Sequence, residues 1–257
     1  MVVRYEQFGK IGDGPLLVFI HGGGAGGWMW DKQVSYFTDY HCIVPTLQGH
    51  GVRSEEGTFS IRDNAKQLID LIENKRASRP VHVIGFSIGA QIILEMLSLA
   101  PHLIRTAVVN SALIRPMAWV FPLIGPTVRM TMPLVHDRKF AKLQAKQLYM
   151  NKAPYFERYY EDSVKMKAAT LVDMLRENLS FSLSDEISKS STSILVTAGM
   201  KERKSVIESA RELAVFHPNC QYLLIPGIGH GFPIARPDLF NQTVGQWLTE
   251  QSIEGLI

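Results

Sequence analysis

The sequence predicts an α/β domain built on a mostly parallel sheet with helices on both faces. Two observations carry this. Short β-branched apolar runs recur in the first and last parts of the chain, with helix-period segments between them. From residue 111 to residue 192 the alternation stops, which predicts a helical insertion within the unit.

The elements follow in order. The N-terminal "VVRYEQFG" alternates like a strand, and Leu16–Ile20, Cys42–Val44, Val81–Ile84, Thr106–Val109, Ser193–Ala198 and Gln221–Ile225 are short apolar runs. Runs that are apolar throughout suit strands buried on both faces. Between them, Ile61, Ala65, Leu68, Ile69 and Ile72 form one helical stripe, while Ile88 to Leu99 is apolar nearly all round and predicts a buried helix. Within the insertion, "LIRPMAWVFPLIGPTVRMTMP" shows no strand pattern. Helical spacing runs from Phe140 to Met150, and again from Val164 to Leu179 through Ala168, Leu171, Val172 and Leu175. Residues 1–110 and 193–257 are therefore expected to form one core, and residues 111–192 a helical cap on it.

Composition narrows the partners. With 257 residues and 46% apolar content, the chain can bury a large core. A formal charge of +3, from 27 Lys and Arg against 24 Asp and Glu, is spread too thinly for a nucleic-acid footprint. The basic run "KERK" at Lys201 to Lys204 is short and interrupted by an acid. No apolar run approaches the ~20 residues that span a bilayer, and the N-terminus lacks the pattern of a signal peptide. The expectation is a cytoplasmic protein, monomer or homodimer, without stable membrane association. Cys42 and Cys220 each adjoin a strand and are expected to be buried free thiols. No His-Glu-x-x-His spacing occurs, so no metal is expected.

The chemistry centres on "GFSIG", where Ser87 stands between Gly85 and Gly89, after an apolar strand and before a helix. At a sharp strand-to-helix turn the serine backbone is strained, and neighbouring residues must be small to avoid clashes. Ser87 then points beyond the carboxyl end of the strand, where a base can activate it as a nucleophile.

A second segment, "HGGGAGGWMW" from His21 to Trp30, follows the strand Leu16–Ile20. Acyl transfer develops negative charge on a carbonyl oxygen, and backbone amides reach it best where no side chain intervenes. The Gly23 amide, assisted by Gly24, and the Ile88 amide are the expected oxyanion donors. Gly22, Gly24 and Gly27 also match a dinucleotide-binding Gly-x-Gly-x-x-Gly, but that fold wants an acid at the end of the next strand. Thr46 and Gln48 stand there instead. A third segment, "LLIPGIGHGFPIARPDLF", puts His230 in a glycine-rich loop after the last strand, placed to act as the base.

In this order, "FIHGGGAGGWMW", "LQGHGVRS", "VIGFSIGA" and "IPGIGHGFP" resemble the α/β-hydrolase family along nearly the whole chain, most closely its small bacterial serine carboxylesterases. The resemblance implies a sheet of about seven or eight strands; because "VVRYEQFG" is similar to the family's second strand, about seven are expected. It also implies the chain order nucleophile, acid, histidine. The family's acid stands three residues past a glycine after the strand Ser193–Ala198, where this chain has Glu202 three past Gly199 in place of the commoner aspartate. His21 and His50 match positions that brace the oxyanion loop and a neighbouring turn.

Six of the ten methionines fall in the insertion (Met117, Met130, Met132, Met150, Met166 and Met174), near Trp119 and Phe121. Met117, Trp119, Phe121 and Trp28 are the expected substrate contacts, in a hydrophobic pocket. The expected activity is hydrolysis of small to medium, uncharged, hydrophobic carboxylic esters through an acyl-enzyme, with no cofactor. The same triad also serves lactonases, thioesterases, carbon-carbon bond hydrolases and perhydrolases, and a receptor with little turnover could keep the fold. Exposure of "MAWVFPLIG" would instead suit a lipase-like lid.

Overall fold

The computed structural model describes residues 3–56 and 58–253. Its strands are β1 (Tyr5–Gly9), β2 (Leu16–Ile20), β3 (His41–Pro45), β4 (Val81–Phe86), β5 (Thr106–Asn110), β6 (Ser193–Gly199) and β7 (Cys220–Ile225). They form one sheet in the order β1-β3-β2-β4-β5-β6-β7. Only the β1–β3 pair is antiparallel. Seven strands, mostly parallel, match the expected fold class.

The helices outside the insertion are α1 (Asp31–Val34), α2 (Ile61–Arg76) and α3 (Ile88–Leu99). Residues 111–192 contribute α4 (Phe121–Thr131), α5 (Arg138–Gln147), α6 (Tyr155–Lys165) and α7 (Ala168–Ser180), and no strand among the described residues. The chain then returns to the sheet, with α8 (Lys204–Phe216), α9 (Phe232–Ala235) and α10 (Pro237–Glu250).

The apolar strands are explained by burial on both faces. Leu16, Val18 and Ile20 of β2 join the core under α2, α3 and α8, whereas Leu17 and Phe19 pack with Trp30, Phe240 and Trp247 on the opposite side. α2 starts where the Ser60 hydroxyl accepts a hydrogen bond from the Asp63 amide, 3.2 Å away, and ends with Lys75 and Arg76 at the negative end of its dipole. α3 has Gln91 as its one buried polar side chain, and spans Ile88–Leu99 as predicted.

One helix is divided where the spacing predicts continuity. Val164 lies in the last turn of α6, which Lys165 closes; Met166 and Lys167 are extended, and α7 begins at Ala168. Met166 is drawn into the main core and Lys167 pairs with Glu55, contacts that an unbroken helical phase does not deliver together. Cys42 and Cys220 are both free, Cys42 buried and Cys220 partly so. They lie on β3 and β7, five strand spacings or about 24 Å apart, too far for a disulfide. Among the described residues no helix is long and apolar enough to cross a membrane.

The insertion is tied to the sheet unit by polar contacts. Trp28 Nε1 donates to Asp162 Oδ2 at 2.7 Å, and the Ile61 amide to Glu177 Oε2 at 2.7 Å. Gln91 on α3 exchanges hydrogen bonds with Asn178 on α7 and donates to the Leu113 carbonyl.

Candidate active site

Ser87 is the residue between β4 and α3, and its backbone sits at φ 55°, ψ −116°. Such a conformation costs on the order of 1–3 kcal/mol for a residue with a side chain and persists only where neighbours enforce it. Here the Ser87 amide donates to the Asn110 carbonyl at 2.8 Å, and the Ala90 and Gln91 amides donate to the Ser87 carbonyl. The flanking glycines are steric requirements. A Cβ on Gly85 would lie 2.6 Å from the Gly89 carbonyl oxygen, and one on Gly89 would lie 2.5 Å from the carbonyls of Ile20 and His21. The turn is therefore pressed against the end of β2.

That packing brings the glycine loop to the serine. A Cβ on Gly23 would lie 3.6 Å from Ile88 Cγ2 and 2.6 Å from Met174 Sδ, so Gly23 sits between the start of α3 and the insertion. Among the described residues, the Gly23 and Ile88 amides make no hydrogen bond. Gly24 requires a correction. Its amide donates to His50 Nε2 at 3.1 Å and is thereby committed to holding the loop.

His21 and His50 form the brace. His21 Nδ1 donates to the Gly22 carbonyl at 2.9 Å while its Nε2 accepts from the Leu47 amide at 3.0 Å. His50 repeats the arrangement, with Nδ1 donating to the Gln48 carbonyl. Both rings are buried, with centroids 5.0 Å apart. Burial, reinforced by the neighbouring His50, lowers the pKa of His21 to about 3, and burial lowers that of His50 to about 4. Both are neutral at pH 7, the state in which Nε2 can accept an amide proton.

On the far side of Ser87, His230 Nδ1 donates to Glu202 Oε2 at 2.8 Å. Glu202 comes from the "KERK" run, yet its side chain is only 1% exposed. Ser111 Oγ donates to Oε1 at 2.5 Å and the Gly199 amide to the same oxygen at 3.3 Å. Burial pushes this carboxyl up, but the hydrogen bond and charge of His230, with the Ser111 and Gly199 donors, outweigh it and hold it below the usual glutamate value. The imidazole rests on Phe86, with centroids 4.8 Å apart. From the insertion, Tyr149 Oη accepts the Gly229 amide at 2.8 Å and steadies the histidine loop. Ser87 Oγ and the imidazole are not hydrogen-bonded to each other, but both residues line one cavity.

That cavity has a volume of about 420 Å³. Leu113, Met117, Leu148, Leu179 and Val206 give it an apolar wall; Ser111, Gln147, Asn178, Ser205, Lys201 and Arg203 give it a polar one. Of the expected substrate contacts, only Met117 lines it. Trp28 is held away by its bond to Asp162 and packs near Tyr155, with ring centroids 6.1 Å apart. Trp119 is 74% exposed, and Phe121 opens α4 outside the cavity lining. Trp119 lies in the short turn before α4, while on α4 itself Ile124 and Val128 are the buried residues and Phe121 is half-buried. Met174 covers Gly23, Met150 and Met166 are packed in the cores, and Met130 faces solvent.

Ser111, Tyr149, Lys201 and Arg203 were not singled out by the sequence. For Ser111 a signal existed: it directly follows a strand whose end adjoins the site. Tyr149 had none, because its partner lies 80 residues away.

A profile of the alpha/beta hydrolase family matches residues 17–243. The chain belongs to that family. RutD of Stutzerimonas stutzeri strain A1501, whose name assigns it a carbamate hydrolase activity, is 26% identical over 263 residues, 97% of each chain. Pyrrolizixenacetamide deacetylase of Xenorhabdus hominickii is 32% identical over 104 residues, 39% of each chain. The crystal structure of the enol-lactonase from Burkholderia xenovorans LB400 superimposes with a TM-score of 0.81 at 19% identity, covering 96% of each chain.

Proposed function

We propose that the protein is a serine hydrolase that cleaves carboxylic esters through an acyl-enzyme. The observation that carries this reading is the Glu202–His230 pair facing the same cavity as Ser87. In the proposed cycle, substrate entry brings Ser87 Oγ and His230 Nε2 together, a contact that tightens only in the complex. His230 takes the hydroxyl proton as Oγ bonds to the carbonyl carbon. Its imidazolium is stabilised by the Glu202 carboxylate. The free amides of Gly23 and Ile88 receive the oxyanion. His230 then returns the proton to the departing alkoxide, leaving the acyl group on Ser87. Water, losing a proton to the same imidazole, attacks the acyl carbon; the ester bond to Oγ breaks as the imidazolium gives that proton to Oγ, which releases the acid and restores both the serine and the neutral histidine.

The relatives' names support attack on an acyl carbonyl, since a carbamate hydrolase, a deacetylase and an enol-lactonase share that step. The apolar wall of Leu113, Met117, Leu148, Leu179 and Val206 supports an ester with a short aliphatic portion. The polar lining adds to the hydrophobic pocket expected from the sequence.

Fluorophosphonate labelling and a series of chromogenic esters of increasing acyl length test the reading. The expected result is a label on Ser87 and turnover that declines once the acyl chain outgrows the cavity. Absence of both label and turnover would overturn the enzyme reading and favour a ligand receptor on the same fold.

A further inference from the structure

The polar wall has a sign. Lys201 and Arg203 flank Glu202 in sequence and both line the cavity, while Glu202 itself is the one acid among the lining residues and is committed to His230. Neither cation forms an ion pair among the described residues. The nearby acids of α8 are engaged elsewhere: Glu208 and Glu212 bind Arg115, and Glu208 also pairs with Lys204. Lys201 is fixed beside the histidine loop, its amide donating to the Ile228 carbonyl at 2.8 Å. Gln147, Asn178 and Ser205 on the same cavity surface supply neutral polar groups and no further negative charge.

We infer that the ester cleaved at Ser87 carries a carboxylate remote from its scissile carbonyl, and that Lys201 and Arg203 bind that carboxylate. This rests on the acyl-hydrolase reading above and narrows its substrate class to half-esters of short dicarboxylic acids or esters of comparable charge. The apolar wall takes the aliphatic spacer and the cations take its far end. Both residues are exposed as well as lining the cavity, so a neutral ester of the same length leaves the two cations to water. The physical preference for the anion is a charge-assisted contact in a partly enclosed space.

The test compares ethyl hydrogen glutarate with its neutral isostere, ethyl glutaramate. Calorimetry on the Ser87→Ala protein measures binding without chemistry, and acid release by the wild type measures turnover. The expected result is about tenfold tighter binding of the anionic ester at low salt, a preference shrinking in 0.5 M NaCl. The same ratio should appear in KM. In the Lys201→Gln/Arg203→Gln double variant the anionic-to-neutral ratio should fall to near one, each variant serving as its own control for folding. Equal affinity for the two esters, or a ratio untouched by the double substitution, would overturn the inference. If binding shows the preference but the wild type releases no acid and takes no fluorophosphonate, the hydrolase reading fails and the anion site stands.

Discussion

His230 and Ser111 bind opposite oxygens of one buried carboxylate: Nδ1 of the histidine lies 2.8 Å from Glu202 Oε2, and the serine hydroxyl lies 2.5 Å from Oε1. The acid can neither rotate nor drift from the imidazole without losing a second partner. Glu202→Gln keeps the shape but removes the charge and allows the wrong histidine tautomer, so kcat should fall by roughly 10²–10⁴-fold. Steady-state kinetics on a chromogenic ester checks this, and near-normal kcat would assign the acid elsewhere.

The two glycine contacts differ in what they press against. At Gly89 an added methyl meets backbone carbonyls of Ile20 and His21, whereas at Gly23 it meets the flexible end of Met174. Gly89→Ala should therefore destabilise the fold by about 2 kcal/mol or more, lowering Tm by several degrees. Gly23→Ala should melt closer to wild type. Thermal unfolding of the two variants side by side decides the order.

Acid should weaken the fold before the carboxylates are exhausted. Folding holds His21 at a pKa of about 3 and His50 and His82 at about 4, against about 6.5 in an unfolded chain. These are depressed values on cationic acids, so the unfolded chain binds protons that the folded one excludes. Their stabilisation is full above pH 6.5 and is lost progressively as pH falls toward 4, each contributing a slope of about 1.4 kcal/mol per pH unit. Glu202 has the opposite charge type: its depressed pKa supplies stability above the usual glutamate value, which disappears only at lower pH as the folded carboxyl protonates. Urea melts at pH 7, 5.5 and 4.5 should show the midpoint falling throughout, and a flat profile from pH 7 to 4.5 would contradict the buried neutral histidines.

Trp28→Phe removes the indole donor to Asp162 but keeps most of the apolar surface. The loss should be about 1–3 kcal/mol, with protease cleavage rising first between residues 111 and 192. Limited proteolysis followed by mass spectrometry locates the cut.

Local chemistry accounts for what the sequence disclosed. Ser87, Gly23 and His230 stand in turns whose glycines are needed within a few residues of them, and the inner strands β2, β4, β5 and β6 declare themselves by burial on both faces. The pairing of the Gly24 amide with His50 spans 26 residues and the Trp28–Asp162 bond spans 134. Neither separation leaves a periodicity to read. The division of α6 from α7 likewise follows from where Met166 and Lys167 find partners, which helical spacing alone does not encode. Aromatic content in the insertion suggested a binding wall, but Trp119, in the short helical turn Ala118–Val120 before α4, faces solvent.

The backbone at position 87, with its φ of 55°, suits glycine far better than serine. Ser87→Gly would relax that turn and, by the same reasoning, yield a sturdier protein with no hydroxyl to offer. A laboratory selection that rewards heat resistance alone would thus drift toward erasing the one side chain on which the proposed chemistry depends, and only a screen that also demands turnover would keep it.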